Sequence, residues 1–223
     1  MSNSIKVDVW SDIGCPWCWI GKHKFEDALA EYEAADSAVP VEIEYHSFEL
    51  HPDTPLDFVG TELDWLTNAR GMAAAQVTAN MQRAAAIAEA AGTVYDYSNL
   101  KHINSIKAHQ LVHYAKHRGA QRTALDRVLK AYYLQGRGVE DIEDLADLGA
   151  EVGFDRDDVV RALKVDEYLP AVLADLDQAR SLDINVVPFF IMDGRHVLSG
   201  AQESSAYLEL LRKLSDQRVE ATR

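Results

Sequence analysis

The sequence predicts an α/β fold in which a β-α-β unit is separated from a closing β-β-α unit by a large helical block. Three observations carry this. Residues 5–10 alternate Ile5, Val7 and Val9 with Lys6 and Asp8, the period of a half-buried strand. From about Leu50 to Asp183 the apolar spacing turns helical, with no strand-like alternation. Near the end, two apolar runs flank Asp193-Gly194, a two-residue hairpin signal.

The elements follow in order. After the first strand come the chain's two cysteines, in Cys15-Pro16-Trp17-Cys18. A helix is expected from Pro16 to about Ala35, with Cys18, Phe25, Leu29 and Tyr32 on one stripe. Pro16 suits its first position, where a missing N–H costs nothing. Val41 to Tyr45 alternates again and reads as the second strand. In the helical block, Thr61-Glu62-Leu63-Asp64 has the capping residue and early acids of a helix start. The alanine-rich run Ala73–Ala91 is strongly helical and ends at Gly92. Further helices are expected near 103–118, 121–135, 140–152 and 155–164, punctuated by Gly119, Gly136-Arg137-Gly138 and Gly153. No fixed period recurs, so this is not a repeat array. A helix near 167–182 leads to a strand over Val186–Met192, the hairpin turn, a short strand His196–Leu198 and a last helix carrying Tyr207, Leu208, Leu211 and Leu214. The expected organisation is a discontinuous domain of residues 1–49 and 184–223, with residues 50–183 forming a helical insertion domain that includes the connecting helix.

At 223 residues and 48% hydrophobic content the chain can bury a real core. Its formal net charge of −14 repels phosphate backbones and anionic lipid, so neither a nucleic-acid nor a membrane partner is expected. The start, Met1-Ser2-Asn3-Ser4-Ile5-Lys6, lacks a basic, apolar signal pattern. No window approaches the roughly 18 apolar residues of a membrane span. The expected compartment is the cytoplasm, where a CxxC pair is catalytic or redox-sensing more often than a structural bridge.

A CxxC at a strand-to-helix junction suits disulfide exchange. The helix N-terminus carries free N–H groups and partial positive charge, which favour a thiolate on Cys15. Cys18, one turn on, can close a ring or release a trapped substrate. Zinc would need two further ligands and no second cysteine pair exists, so no metal is expected. Two inert buried thiols are the other alternative, and Pro16 speaks against that. Pro188 interrupts an apolar strand and belongs at an edge or an irregular strand start. His109, His113 and His117 recur at helical spacing and could share a metal, but no matched ligand set is evident and a packing role is favoured. Asp12 is a candidate proton acceptor for Cys18 during resolution; the plainer reading is a loop residue bonded to nearby backbone. Of Trp17 and Trp19, one is a candidate for lining an apolar substrate surface and either could pack on the insertion.

The order β-α-β, helical block, β-β-α is that of a thioredoxin-like fold with an insertion. Together with Asp12-Ile13-Gly14-Cys15-Pro16-Trp17-Cys18, Gly21-Lys22, Asn104-Ser105-Ile106-Lys107-Ala108-His109, Asn185-Val186-Val187-Pro188-Phe189-Phe190 and Ser199-Gly200-Ala201-Gln202, it resembles the DsbA-like branch of the thioredoxin superfamily. That branch includes FrnE-type oxidoreductases and 2-hydroxychromene-2-carboxylate isomerases. The resemblance implies that Cys15 is the nucleophile, Cys18 the resolving thiol, Pro188 a cis-proline facing the CxxC, and Val187 the donor of backbone groups to an extended substrate. Two departures stand out. The isomerases and kappa-class glutathione transferases generally carry serine where Cys15 stands, so two sulfurs here favour dithiol exchange. The Pro16-Trp17 dipeptide lacks the histidine of the periplasmic oxidants, so a less stabilised thiolate and a less oxidising pair are expected.

The function expected is a cytoplasmic protein disulfide oxidoreductase that works through a mixed disulfide without a cofactor. Its partners would be protein thiols and disulfides, with glutathione or a thioredoxin-type reductant as candidate electron donor. Two alternatives stay open: a glutathione-dependent isomerase or transferase acting on a small aromatic, and a redox-regulated binding protein.

Overall fold

The computed structural model describes residues 4–35, 38–94 and 100–221; residues 1–3, on which the reading of the N-terminus rests, lie outside them. Strand β1 (Ile5–Ser11) is central. It pairs in parallel with β2 (Val41–Ser47), Ile5 opposite Val41 and Ser11 opposite Ser47. On its other side it runs antiparallel to β3 (Phe189–Met192), which pairs with β4 (His196–Ser199). The sheet order is β2-β1-β3-β4. Helix α1 (Pro16–Glu33) joins β1 to β2, and α9 (Ser204–Ala221) closes the chain. Between β2 and β3 stand α2 (Glu62–Asn68), α3 (Ala74–Ala90), α4 (Ile106–Lys116), α5 (Gln121–Gln135), α6 (Ile142–Glu151), α7 (Arg156–Lys164) and α8 (Leu169–Ser181). Among the described residues no helix is long and apolar enough to cross a membrane.

The strand alternation sorts the two faces of β1. Val7 and Val9 join Phe25 of α1, Phe190, and Tyr207 and Leu211 of α9 in the core. There the Phe25 ring lies 5.2 Å from Phe190 and 5.5 Å from Tyr207. Trp10 points the other way, into a second cluster with Cys15, Cys18, Ala179 of α8 and Ile184. The main core is continuous into the helical block, taking in Leu111, Leu129 and Leu145.

Several boundaries differ from the sequence expectation for local reasons. β3 begins at Phe189 rather than Val186; Pro188 has no N–H to give a ladder. α4 begins at Ile106 rather than 103, because the Asn104 side chain accepts from Ile106 N (3.1 Å) and donates to Thr54 O (2.7 Å), an alternative to helix. α6 starts after Asp141, whose carboxylate caps Glu143 N and Asp144 N. The helical block also holds one isolated bridge, Thr61 to Lys101, where no strand pairing was expected. The Thr61–Asp64 capping box forms in both directions, and Asp193 and Gly194 adopt φ of 53° and 69°, both positive as a type I′ hairpin turn requires.

Polar contacts fasten the insertion to the sheet. Gln121 of α5 uses both ends of its amide on the outer edge of β2, accepting from Tyr45 N (3.0 Å) and donating to Tyr45 O (2.7 Å). Asp175 of α8 accepts from Ser47 N (2.8 Å) and lies 3.0 Å from both His46 Nδ1 and His113 Nε2. His46 also meets Asp8 Oδ1 at 3.0 Å and stacks on Trp10 with centroids 4.4 Å apart. With carboxylates at both ring nitrogens, His46 holds two protons. Burial opposes that charge, but the hydrogen bonds to Asp175 and Asp8 outweigh it and raise the His46 pKa to about 9. Burial likewise opposes charge on Asp175, and the bonds from His113, His46 and Ser47 N hold it well below the usual carboxylate range.

The sign of the pH effect follows. His46 is raised on folding, so its stabilisation is complete below its ordinary value of 6.5 and is lost as pH rises through about 9. The urea midpoint should fall between those pH values. Asp175→Asn should weaken that slope and cost about 3 kcal/mol at neutral pH by taking one of its two carboxylates from the buried His46. Equal slopes in wild type and variant would show that the network does not tie folding to pH.

Candidate active site

Cys15 is the N-cap residue of α1, in extended conformation (φ −89°, ψ 113°), with Pro16 opening the helix. Its N–H donates to Asp12 O (3.3 Å), and its carbonyl accepts from Cys18 N (3.0 Å) and Trp19 N (3.3 Å). Both cysteines are free thiols. Cys15 Sγ lies 3.9 Å from Val187 O, and the Val187–Pro188 bond is cis. Pro188 O accepts from Gly200 N at 2.8 Å. The structure therefore brings Cys15, Cys18, Pro16, Val187 and Pro188 together at the start of α1.

The asymmetry of the thiols does not lie in exposure: Cys15 is 2% exposed and Cys18 1%. It lies in what each sulfur meets. Cys15 lines a cleft of about 460 Å³ between the CxxC loop and the first two helices of the insertion, shared with Trp17, Leu50, Leu66, Met81 and Leu100. Cys18 faces inward, where Asp12 N approaches its Sγ at 3.4 Å. Burial pushes the Cys18 thiol well up, and its contact with Cys15 adds to this; the Asp12 amide and the Ser11 side chain act in the opposite direction. The tryptophans divide likewise. Trp17 is 36% exposed at the cleft, while Trp19 is fully buried and stacked on Tyr133 of α5 at 5.6 Å.

Asp12 is the hub of the loop. Its Oδ1 accepts from Gly14 N (3.2 Å) and Ser105 Oγ (2.7 Å), and its Oδ2 from Leu50 N (2.8 Å). His109 Nε2 lies 3.5 Å from Oδ1 and donates to Phe48 O at 3.0 Å. Burial opposes the Asp12 charge, but His109, Leu50 N and Ser105 more than offset it and hold the carboxyl below its ordinary value. The contact with Cys18 runs through the Asp12 backbone, not its carboxylate.

The three spaced histidines go to different places. His109 faces Asp12, His113 faces Asp175 and Ser47, and His117 ends α4 with its ring edge-on to Tyr168. The described residues hold one set of potential ligand atoms within 4.8 Å, on Asp8, Glu44 and His46. Lys6 lies 3.1 Å from Asp8 and Lys116 2.6 Å from Glu44, so it is an ion-pair network. The cleft walls from α2 and α3 and the Asp12–Ser105 contact were not read from sequence as parts of one site; the Asn104–His109 segment, which carries part of the resemblance, was the available signal.

The chain matches the DSBA-like thioredoxin domain over residues 6–212 and belongs to that family. It is 28% identical over 205 residues to the uncharacterized protein YwbO of Bacillus subtilis, covering 89% of this chain and 91% of that one. A probable DsbA oxidoreductase from Streptomyces coelicolor superposes with a TM-score of 0.84 at 36% identity, over 94% of this chain and 89% of the other. The cytosolic disulfide reductase DsbM of Pseudomonas aeruginosa, solved with GSH, shares the fold at a TM-score of 0.63 and 16% identity, over 96% and 99% of the two chains.

The approach of Pro188 to α1 depends on Gly21. A Cβ at Gly21 would stand 2.6 Å from Pro188 Cγ and 3.5 Å from Ala201. Gly21→Ala should therefore cost about 1–3 kcal/mol through overpacking, read as a lowered urea midpoint. Wild-type stability in that variant would show that the Pro188 loop can withdraw freely.

Proposed function

We propose that this protein is a thiol-disulfide oxidoreductase that acts on protein substrates through Cys15 and Cys18. The observation that carries the reading is the placement of Cys15 at a helix N-cap, on a cleft, beside Val187 O, with Cys18 buried behind it. In the reducing direction, a Cys15 thiolate attacks a substrate disulfide, forming one mixed disulfide and releasing one substrate thiolate. Cys18 thiolate then attacks Cys15 Sγ, closing the Cys15–Cys18 disulfide and releasing the second substrate thiolate. The reverse sequence oxidises a substrate dithiol. Val187 backbone groups and Pro188 align an extended partner chain, and Trp17 offers it an apolar surface. A cytoplasmic setting fits this reading, and a cytosolic disulfide reductase shares the fold.

A second reading, glutathione-dependent chemistry on a small aromatic, draws on the cleft beside Cys15 and on a structural neighbour solved with GSH. The presence of both sulfurs favours exchange over it.

Insulin reduction by dithiothreitol tests the first reading. Wild type should accelerate it, Cys15→Ser should return it to the uncatalysed rate, and Cys18→Ser should accumulate mixed disulfides on Cys15. Trapping through Cys18 would reverse the roles. Turnover of an aromatic substrate with glutathione, without insulin reduction, would establish the second reading.

A further inference from the structure

Every polar atom of Asp12 is in use: N–H toward Cys18 Sγ, carbonyl to Cys15 N, and both carboxylate oxygens. Two of the groups on that carboxylate, Ser105 and His109, come from the insertion, just before and within the first turn of α4. Neither side chain has a contact with either sulfur given by the structure, and both are buried, at 6% and 3% exposure. The Asp12 contact with Cys18 is made by its backbone N–H. That N–H is placed to stabilise negative charge on the sulfur.

We infer that Ser105 and His109 are positioning residues for the resolving step: by locking the Asp12 carboxylate they aim the Asp12 amide at Cys18 Sγ, where it stabilises the thiolate that attacks the mixed disulfide. This rests on the proposed exchange function and specifies its second half. In the step, the Cys18 thiol gives its proton to solvent, and Cys18 Sγ bonds to Cys15 Sγ as the Cys15–substrate S–S bond breaks. The electron pair of that bond leaves on the substrate thiolate. Negative charge grows and fades on Cys18 where the amide already points, so no group need reorient.

The other ionisable groups around this pair include Cys15, Tyr132 and Tyr133 from α5, Tyr207 from α9, Glu49 and His51. Burial keeps all three phenols far above their ordinary range, raises Glu49 and lowers His51. The amide therefore has no charged competitor at Cys18 other than Cys15 itself.

The two halves of the reaction separate with the aromatic disulfide dithiobis(nitrobenzoate). The reduced enzyme releases one nitrothiobenzoate when Cys15 attacks and a second when Cys18 resolves the adduct. Stopped-flow absorbance over a range of pH reads both. In Ser105→Ala the first release should change by less than about twofold. The second should slow about tenfold at neutral pH, its inflection moving up by about one pH unit, the scale of a hydrogen bond to a charged group. Ser105→Thr, which keeps the hydroxyl, should restore the wild-type profile. His109→Gln keeps a donor for Phe48 O but removes the imidazole beside Asp12; it should move the inflection the same way by less, and it reads the effect if Ser105→Ala does not fold. A wild-type second phase in the variants that fold, or equal slowing of both phases without a pH shift, overturns the inference. Absence of any first release from wild type would instead overturn the exchange function itself.

Discussion

The buried carboxylate of Asp12 is the constraint on which the site is built. A buried charge persists only with its lone pairs satisfied, and here the donors come from three separate segments. Gly14 belongs to the CxxC loop, Leu50 to the segment after β2, and Ser105 to the entrance of α4, with His109 alongside. None of these segments alone can satisfy it. The CxxC loop is therefore tied to the insertion through this one carboxylate, and the helical block is part of the site around Cys15.

The same logic runs along the whole seam. Lys22 of α1, 3% exposed, reaches Asp126 of α5 at 2.9 Å as well as Glu26 of its own helix at 2.7 Å. Asp175 holds His46 and His113, and Gln121 brackets Tyr45. Apolar packing across the seam brings the parts together but is not directional. These directional polar contacts fix the orientation of α4, α5 and α8 against the sheet. Orientation matters here because the cleft beside Cys15 has the CxxC loop on one wall and insertion helices on the other. Despite the −14 net charge, that cleft is walled largely by apolar side chains such as Leu66, Met81 and Leu100, a surface suited to an apolar partner segment.

What the sequence disclosed follows from range. Period-two alternation placed β1 and β2, Asp193-Gly194 placed the hairpin, and the alanine-rich run placed α3, because each signal is local. The resemblance pointed to Cys15, Cys18 and Pro188 as partners across the length of the chain, and the structure sets Val187 O beside Cys15. The failures were also local competitions: Pro188 shortens β3, and Asn104 delays α4 by turning its amide on nearby backbone. The long-range polar pairings were not legible. Nothing in the residue pattern links Asp12 to Ser105 or His46 to Asp175, since a single hydrogen bond between distant segments leaves no periodicity. The helical spacing of His109, His113 and His117 allowed a shared metal beside the favoured packing role, and their side chains meet different partners.

The position of β1 has a consequence for how the chain is made. Among the described strands the central one comes first in sequence, and its two neighbours arrive at very different times: β2 after one helix, β3 only after α2 to α8. Until then one flank of β1 stays unpaired, and the outer edge of β2 waits for Gln121 of α5. The nascent polypeptide thus carries open sheet edges while α2 to α8 are made, the exposure that favours intermolecular pairing. Among the helices made in that interval it is α5 and α8 that pack against β2 in the folded chain, so its outer edge is covered by the later part of the insertion.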